Sequence, residues 1–291
     1  MLAEFLQFLF SGVTVGATYA LVGLGFSIIY NSSNVINFAQ GEFVMIAGMS
    51  TVSLLGLGLP MPIAILIAVV ITTAVGLALE KFAVEPARDA TVVTLIIITI
   101  GASIFLRGAA EVIWGRNFHS LPPFTTNDPI LVGGAALLPQ TVWIVLATLA
   151  IIVVLWWFFN RTLTGKAMLA TAYNPMVSRL MGINTKFILS LSFGLAAMLG
   201  GIAGILIAPI SLTYPSVGVM LGLKGFCAAI LGGLGNPMGA IAGGLIVGIS
   251  EAMTAGYISS SYKDAVAFVI ILAVLIVIPS GLFGTRGTER V

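Results

Sequence analysis

The sequence predicts an all-α, polytopic membrane protein, and three observations carry that prediction. Hydrophobic residues fill 59% of the 291 positions and charged residues 8%, where a soluble globule carries roughly 25% charged residues. Mean hydropathy is +1.16. The apolar residues are gathered into runs of bilayer-spanning length, punctuated by Gly, Pro, Asn and basic side chains. In lipid, runs of this kind satisfy their backbone polar groups as helices.

Taken in order, the runs give eight or nine crossings in one transmembrane domain, residues 1–291. The first begins near Phe5 and ends near Tyr30, before the polar cluster NSSNVINFAQGE, Asn31 to Glu42. The N-terminal MLAEFLQFLF has no basic residue ahead of its apolar run, so the first span is expected to stay rather than be cleaved. Phe43 to Leu79 holds two helices with Pro60 and Pro62 at the turn, closed by the polar stretch Glu80 to Asp89. A fourth span runs from about Ala90 to Leu106. Arg107 to Gln140 reads as a loop, kept from helix by Pro122, Pro123, Pro129 and Pro139, with Trp114 and Trp143 at its ends where an aromatic belt sits. The fifth span, Thr141 to Phe159, ends in Trp156 and Trp157. Phe187 to Leu223 carries no charge and holds a sixth span ending near Pro209. Gly218 to Leu231 is a short, discontinuous crossing, followed by the break GGLGNP, a long helix to about Gly256, and a last span from Asp264 to Phe283.

Basic residues set the orientation. Lys81 and Arg88 share one loop and Arg161, Lys166, Arg179 and Lys186 another, so both are expected in the cytoplasm. That puts the N-terminus and the 107–140 loop outside. Arg286 and Arg290 fall inside if the short run crosses, which favours nine crossings.

Several function classes are excluded or weakened. A net charge of +2, without a basic run, gives no footprint for nucleic acid. Cys227 is the one cysteine, so no internal disulfide or cysteine metal cluster forms, and His119, also alone, is expected as a solvated loop residue. No GxxxxGK[ST] sequence is present, so ATP, if used, binds another chain. No catalytic residues, metal ligands or cofactor are expected.

Asn160 to Lys186 reads as a handle for a partner. Asn174 caps a short helix that starts at Pro175 and stops at Gly182. Met176, Val177, Leu180 and Met181 share one face, with Ser178 and Arg179 on the other. Seven residues give about 10 Å of helix, too short to span. Its apolar face lies on the bilayer surface or in a partner's groove.

Two polar, Gly-containing interruptions, one in each half, point to a transport path. They offer Asn34, Asn37, Gln40 and Glu42 in the first, and Gly232, Gly233, Gly235 and Asn236 in the second. Glu251 is counted with them as a path residue, because it stands inside a long apolar helix, where a carboxylate calls for a task or a partner. Small residues recur every fourth position as Gly12, Gly16, Ala20; as Ala196, Gly200, Gly204, Ala208; and as Ala240, Gly244, Gly248, Ala252. These stripes read as close helix packing.

Three stretches resemble the LivH-type permeases of bacterial branched-chain amino acid ABC transporters. They are GATYALVGLGFSIIYNSSNVINFAQGEF from Gly16, GKAMLATAYNPMVSRLMGIN from Gly165, and LKGFCAAILGGLGNPMGAIAGGLIVGISE from Leu223 to Glu251. The resemblance spans nearly the whole chain. It implies an inner-membrane importer of leucine, isoleucine and valine, assembled with a second, LivM-like permease, two ABC ATPase subunits and a periplasmic binding protein. It also makes the Asn160 to Lys186 loop a coupling element that docks on the ATPase, including Gly165, Ala170 and Ala172 with the Asn174 to Gly182 helix. Members often carry an Arg ahead of the loop's first Ala, and here Met168 and Leu169 occupy that neighbourhood. Relatives carry urea, short amides or other amino acids. An ion-coupled secondary transporter is the remaining alternative, with Glu251 as its one intramembrane ionisable residue, and a channel would work alone.

Overall fold

A computed structural model describes residues 2–87, 90–126 and 128–284. Arg88, Arg286 and Arg290, used above for orientation, lie outside these. The helices are α1 (Leu2–Ser33), α2 (Gln40–Gly56), α3 (Met61–Leu79), α4 (Val92–Trp114), α5 (Pro139–Arg161), α6 (Leu163–Tyr173), α7 (Pro175–Leu180), α8 (Thr185–Ile207), α9 (Val217–Gly232), α10 (Pro237–Tyr257) and α11 (Lys263–Val277). Seven are long and apolar enough to cross a membrane. With the shorter α2 and α9, of 17 and 16 residues, the bundle agrees with the eight or nine spans expected.

The 32-residue α1 is the central post. Its window of greatest hydropathy is 89% buried, whereas those of α4 and α11 are each 11% buried and face outward. Glycine makes this burial possible, because α1 lies backbone to backbone against α10. A Cβ on Gly248 would stand 2.3 Å from the Gly16 backbone, and one on Gly12 2.7 Å from Ile249 Cα. The expected stripes of α1 and α10 therefore face one another. The third stripe closes α8 onto α2, where a Cβ on Gly204 would come within 2.1 Å of the Val44 carbonyl. Such contact supplies the dispersion that lipid-facing apolar surface does not.

One end of the bundle is basic. The turn after α3 meets the start of α8 through Lys186–Glu85 (3.2 Å) and a bond from the Ser190 hydroxyl to Glu80 (2.6 Å), which gathers Lys81, Arg161, Lys166, Arg179 and Lys186 at that end. At the other end a hairpin, β1 (Ile130–Val132) with β2 (Ala135–Leu137), packs beside α1, and Gln7 accepts the Ala136 N–H at 2.8 Å.

Several expectations are corrected. The fourth span continues to Trp114, because nothing between Leu106 and Gly115 breaks the helix, and Gly115 with φ 74° stops it. Trp114 then donates to the Ser53 hydroxyl at 2.6 Å. The loop beyond contains the hairpin rather than irregular chain alone. The last span ends at Val277, and 278–284 turns back onto Gly232 and Asn236. His119 is half-buried, its backbone paired with Thr213, not solvated.

Candidate translocation and coupling sites

The first interruption is a re-entrant chain. Asn34, at φ 55°, ends α1 in the left-handed conformation that Asn tolerates. The next residues run back into the bundle without helix until α2 starts at Gln40. Thr99 of α4 catches this strand, accepting the Phe38 N–H at 3.3 Å. Gln40 Nε2 donates to Ala196 O at 2.9 Å, half-way along α8, and so fixes the depth of the break near the middle of the bundle. Asn37 is 1% exposed, and its Oδ1 accepts the Ala39 N–H at 3.1 Å. Glu42 follows in the first turn of α2. The Ser103 hydroxyl of α4 donates to its Oε1 at 2.7 Å. Asn37 Nδ2, Gln40 Oε1 and Glu42 Oε2 are buried without partners.

The second interruption lies elsewhere, at the basic end. Gly233 and Gly235 have φ of 100° and 91°, so the turn between α9 and α10 is open to glycine and strained for other residues. Asn236 Oδ1 caps α10 by accepting the Gly239 N–H at 3.1 Å, and its Nδ2 donates to Phe283 O at 2.9 Å. A Cβ on Gly232 would meet the Gly239 backbone at 2.0 Å. Asn31 at the end of α1 donates to Gly235 O at 2.8 Å. The two interruptions thus lie at different depths of the bundle, not opposite each other.

Glu251 has partners that hydropathy did not reveal. Lys224 Nζ donates to Glu251 Oε1 and to Asp264 Oδ1, each at 2.6 Å, and the Tyr19 hydroxyl donates to Glu251 Oε2 at 2.8 Å. The four groups join α1, α9, α10 and α11 beneath an outward cavity of about 530 Å³. Lys224 begins one residue past the charge-free run ending at Leu223. A lone lysine inside an apolar helix is itself the signal that pairs with a lone glutamate in the next one.

At the basic end, α6 and α7 form an angled handle. Thr162 caps α6 by accepting the Gly165 N–H at 3.0 Å. Gly165 is buried against Phe158 and Phe159, Ala170 is exposed and Ala172 half-buried. Asn174 Oδ1 accepts the N–H groups of Met176 and Val177 at 3.0 and 3.1 Å, and Gly182 turns the chain at φ 85°. The helix is six residues long, one fewer than expected, since Met181 serves as its C-cap. Ser178 points inward while Met176, Leu180 and Met181 are 75%, 82% and 78% exposed. Between this handle and the second interruption lies a cavity of about 430 Å³ lined by Ala172, Tyr173, Gly235 and Asn236.

Buried charges and unpartnered polar groups inside a lipid-facing bundle are costly, and a mere anchor has no use for them. They mark the chain as a polytopic membrane protein with polar groups built into its bundle. The chain belongs to the family of the branched-chain amino acid transport system permease component, whose model matches residues 8–275. It is similar to the high-affinity branched-chain amino acid transport system permease protein LivH of Escherichia coli (strain K12), at 35% identity over 99% of this chain and 98% of that one. BraD of Pseudomonas aeruginosa, which bears the same description, is 32% identical over the same shares. More distantly, the ribose import permease protein RbsC of Haemophilus influenzae is 26% identical over 90% and 80%. Among solved structures, PsaBC from Streptococcus pneumoniae in complex with Fab superposes at a TM-score of 0.53 and 14% identity, covering 96% of this chain and 97% of that one. That likeness concerns the fold. The chain is a non-catalytic, multi-pass membrane subunit.

Proposed function

We propose that this chain is a single-domain permease subunit of an ATP-driven importer for leucine, isoleucine and valine in a bacterial inner membrane. It forms the path with a second, LivM-like permease, is driven by two ABC ATPase subunits and receives substrate from a periplasmic binding protein. Relatives described as branched-chain amino acid permeases, aligned over 99% of the chain, support the substrate. The observation that carries the coupling is α7. Its apolar face projects from the basic end with no intramolecular cover, and a helix of about 9 Å is too short to enter lipid as a span. A groove in a cytoplasmic ATPase gives such a face its burial.

In this reading, substrate passes the level of the re-entrant chain at Asn34, Asn37, Gln40 and Glu42. It leaves at the basic end beside Gly232, Gly233, Gly235 and Asn236, across the cavity from α6. Motion of α6 and α7 reaches that exit through Ala172 and Tyr173. Glu251 holds the outer part of α10 to α9. The permease binds loosely, because a deep well inside the membrane slows release.

Vesicles decide the matter. Labelled leucine is expected to accumulate when both permeases, the ATPases and the binding protein are present with ATP, and not when this chain is alone. Urea and ribose serve as competitors. Uptake by the chain alone would refute coupling, and uptake suppressed by urea but not by isoleucine would refute the substrate.

A further inference from the structure

A third cavity, about 280 Å³, lies between α4 and α9 beside the re-entrant chain. Four residues of α4 line it at helical spacing: Ile100, Ser103, Ile104 and Arg107. Glu42 closes its inner end. One oxygen of that carboxylate is held by Ser103 at 2.7 Å, while Oε2 is buried without a partner. An acidic residue in a first helical turn is favoured by the helix dipole and commonly also bonds free backbone N–H groups. Here neither oxygen takes one, and α2 has no side-chain cap. Gly218 keeps the space beside Oε2 open, since a Cβ there would stand 3.0 Å from it. Arg107 follows Ser103 by one helical turn, about 6 Å along α4. Its guanidinium has no hydrogen-bond or ion-pair partner among the described residues. The rest of the lining is largely apolar and includes Phe38 and Phe226, in ring contact at 5.5 Å.

We infer that this cleft is an amino-acid site on the path, in which Glu42 receives the ammonium group, Arg107 the carboxylate, and the wall of Ile100, Ile104, Phe38 and Phe226 the branched side chain. The inference rests on the importer reading and deepens it. A zwitterion carries one charge of each sign close together with an aliphatic branch, and the cleft offers the complement of each. A bare carboxylate oxygen in an apolar setting is costly unless something donates to it, and a substrate ammonium group has three N–H donors. The volume lies near the ~300 Å³ lower end of small-molecule sites, room enough for leucine.

The test uses the assembled complex of both permeases and the ATPases, with Ile104→Cys in a Cys227→Ala background and the binding protein omitted during labelling. Ile104 is 55% exposed, so a maleimide reaches the new thiol. Added leucine is expected to slow labelling, whereas 4-methylpentanoate and isopentylamine, each lacking one charge, are not. Glu42→Gln is expected to remove that protection and to lower leucine uptake about ten- to a hundredfold, from the loss of a charge-assisted hydrogen bond. Arg107→Met, at the rim, is expected to act likewise, and it carries the test if the Glu42 variant does not assemble. An Ile104→Cys, Cys227→Ala complex that imports leucine but shows no protection would overturn the site and leave the importer reading standing. A thiol unreactive in the complex yet reactive in the isolated chain would overturn it too, assigning the cleft to contact with the second permease. A complete complex that imports no leucine would overturn the importer reading and the site together.

Discussion

Replacing Lys224 with Met isolates the energetics of the buried charge cluster. The Lys224 side chain is 6% exposed and that of Glu251 10%, while that of Asp264 is 46% exposed. Removing the ammonium group therefore strands two carboxylates unequally. Asp264 faces the outer cavity and is hydrated, so its loss is about 0–1 kcal/mol. Glu251 keeps the Tyr19 hydroxyl but loses its counter-charge, and breaking a buried pair from one side costs about 3–5 kcal/mol. Neutralising both partners is cheaper. In Lys224→Met with Glu251→Gln, the amide oxygen still accepts from Tyr19, and the remaining loss is about 1–2 kcal/mol. The double variant is thus expected to be more stable than the single Lys224→Met variant, by roughly 2–3 kcal/mol. Denaturant titration in mixed micelles, followed by circular dichroism, measures the cycle on the isolated chain. A double variant no more stable than Lys224→Met would refute the idea that an uncompensated Glu251 carries the cost.

Three further outcomes are expected. Leu180→Asp puts a carboxylate in the exposed face of α7, costing several kcal/mol when buried unpaired against an ATPase; co-purification should fall to background, and wild-type yield would exclude α7 as the docking element. Thiols introduced in a Cys227→Ala background as Leu180→Cys and Leu131→Cys should react with an impermeant maleimide from the cytoplasmic and external sides respectively, and labelling from one common side would overturn the orientation. Gly248→Val drives a side chain into the Gly16 backbone, 2.3 Å from the site of its Cβ, and should cost about 1–3 kcal/mol in the same titration; Gly101→Val, where a Cβ meets nothing within 4 Å, should cost less, and equal losses would remove close packing as the cause.

The helices that face lipid or one another through small residues were legible in the sequence, because apolar run length and four-residue spacing both survive folding. So was α7, since Asn174, Pro175 and Gly182 act locally, each through the backbone beside it. The depth of the first interruption was not. It depends on Gln40 reaching Ala196, 156 residues away, and no local signal carries that distance. The same holds for the second interruption, which reads as a match to the first but is a capped turn held by Asn31 and Phe283. Lys224 was passed over because a single lysine barely lowers the hydropathy of its run. Its partners lie 27 and 40 positions on, and pairing them requires knowing that α9 crosses. In the α4 to α9 cleft, Arg107 belongs to the part of α4 that continues to Trp114, beyond the expected end at Leu106.

The backbone contact between α1 and α10 also orders events in time. Gly16 and Gly244 are 228 positions apart, so at ribosomal speed the first helix waits roughly ten to fifty seconds for the surface that will cover it. Until then its glycine face stands open to lipid or to whatever chaperone attends the translocon. Tyr19 waits equally long for Glu251, which enters the membrane after Lys224 and before Asp264. The post around which the finished bundle is organised is therefore among the first parts made and among the last to be locked. A ribosome stalled before α10 would leave a chain with most of its spans inserted and its centre unsealed, a form that quality-control proteases can distinguish from the finished subunit.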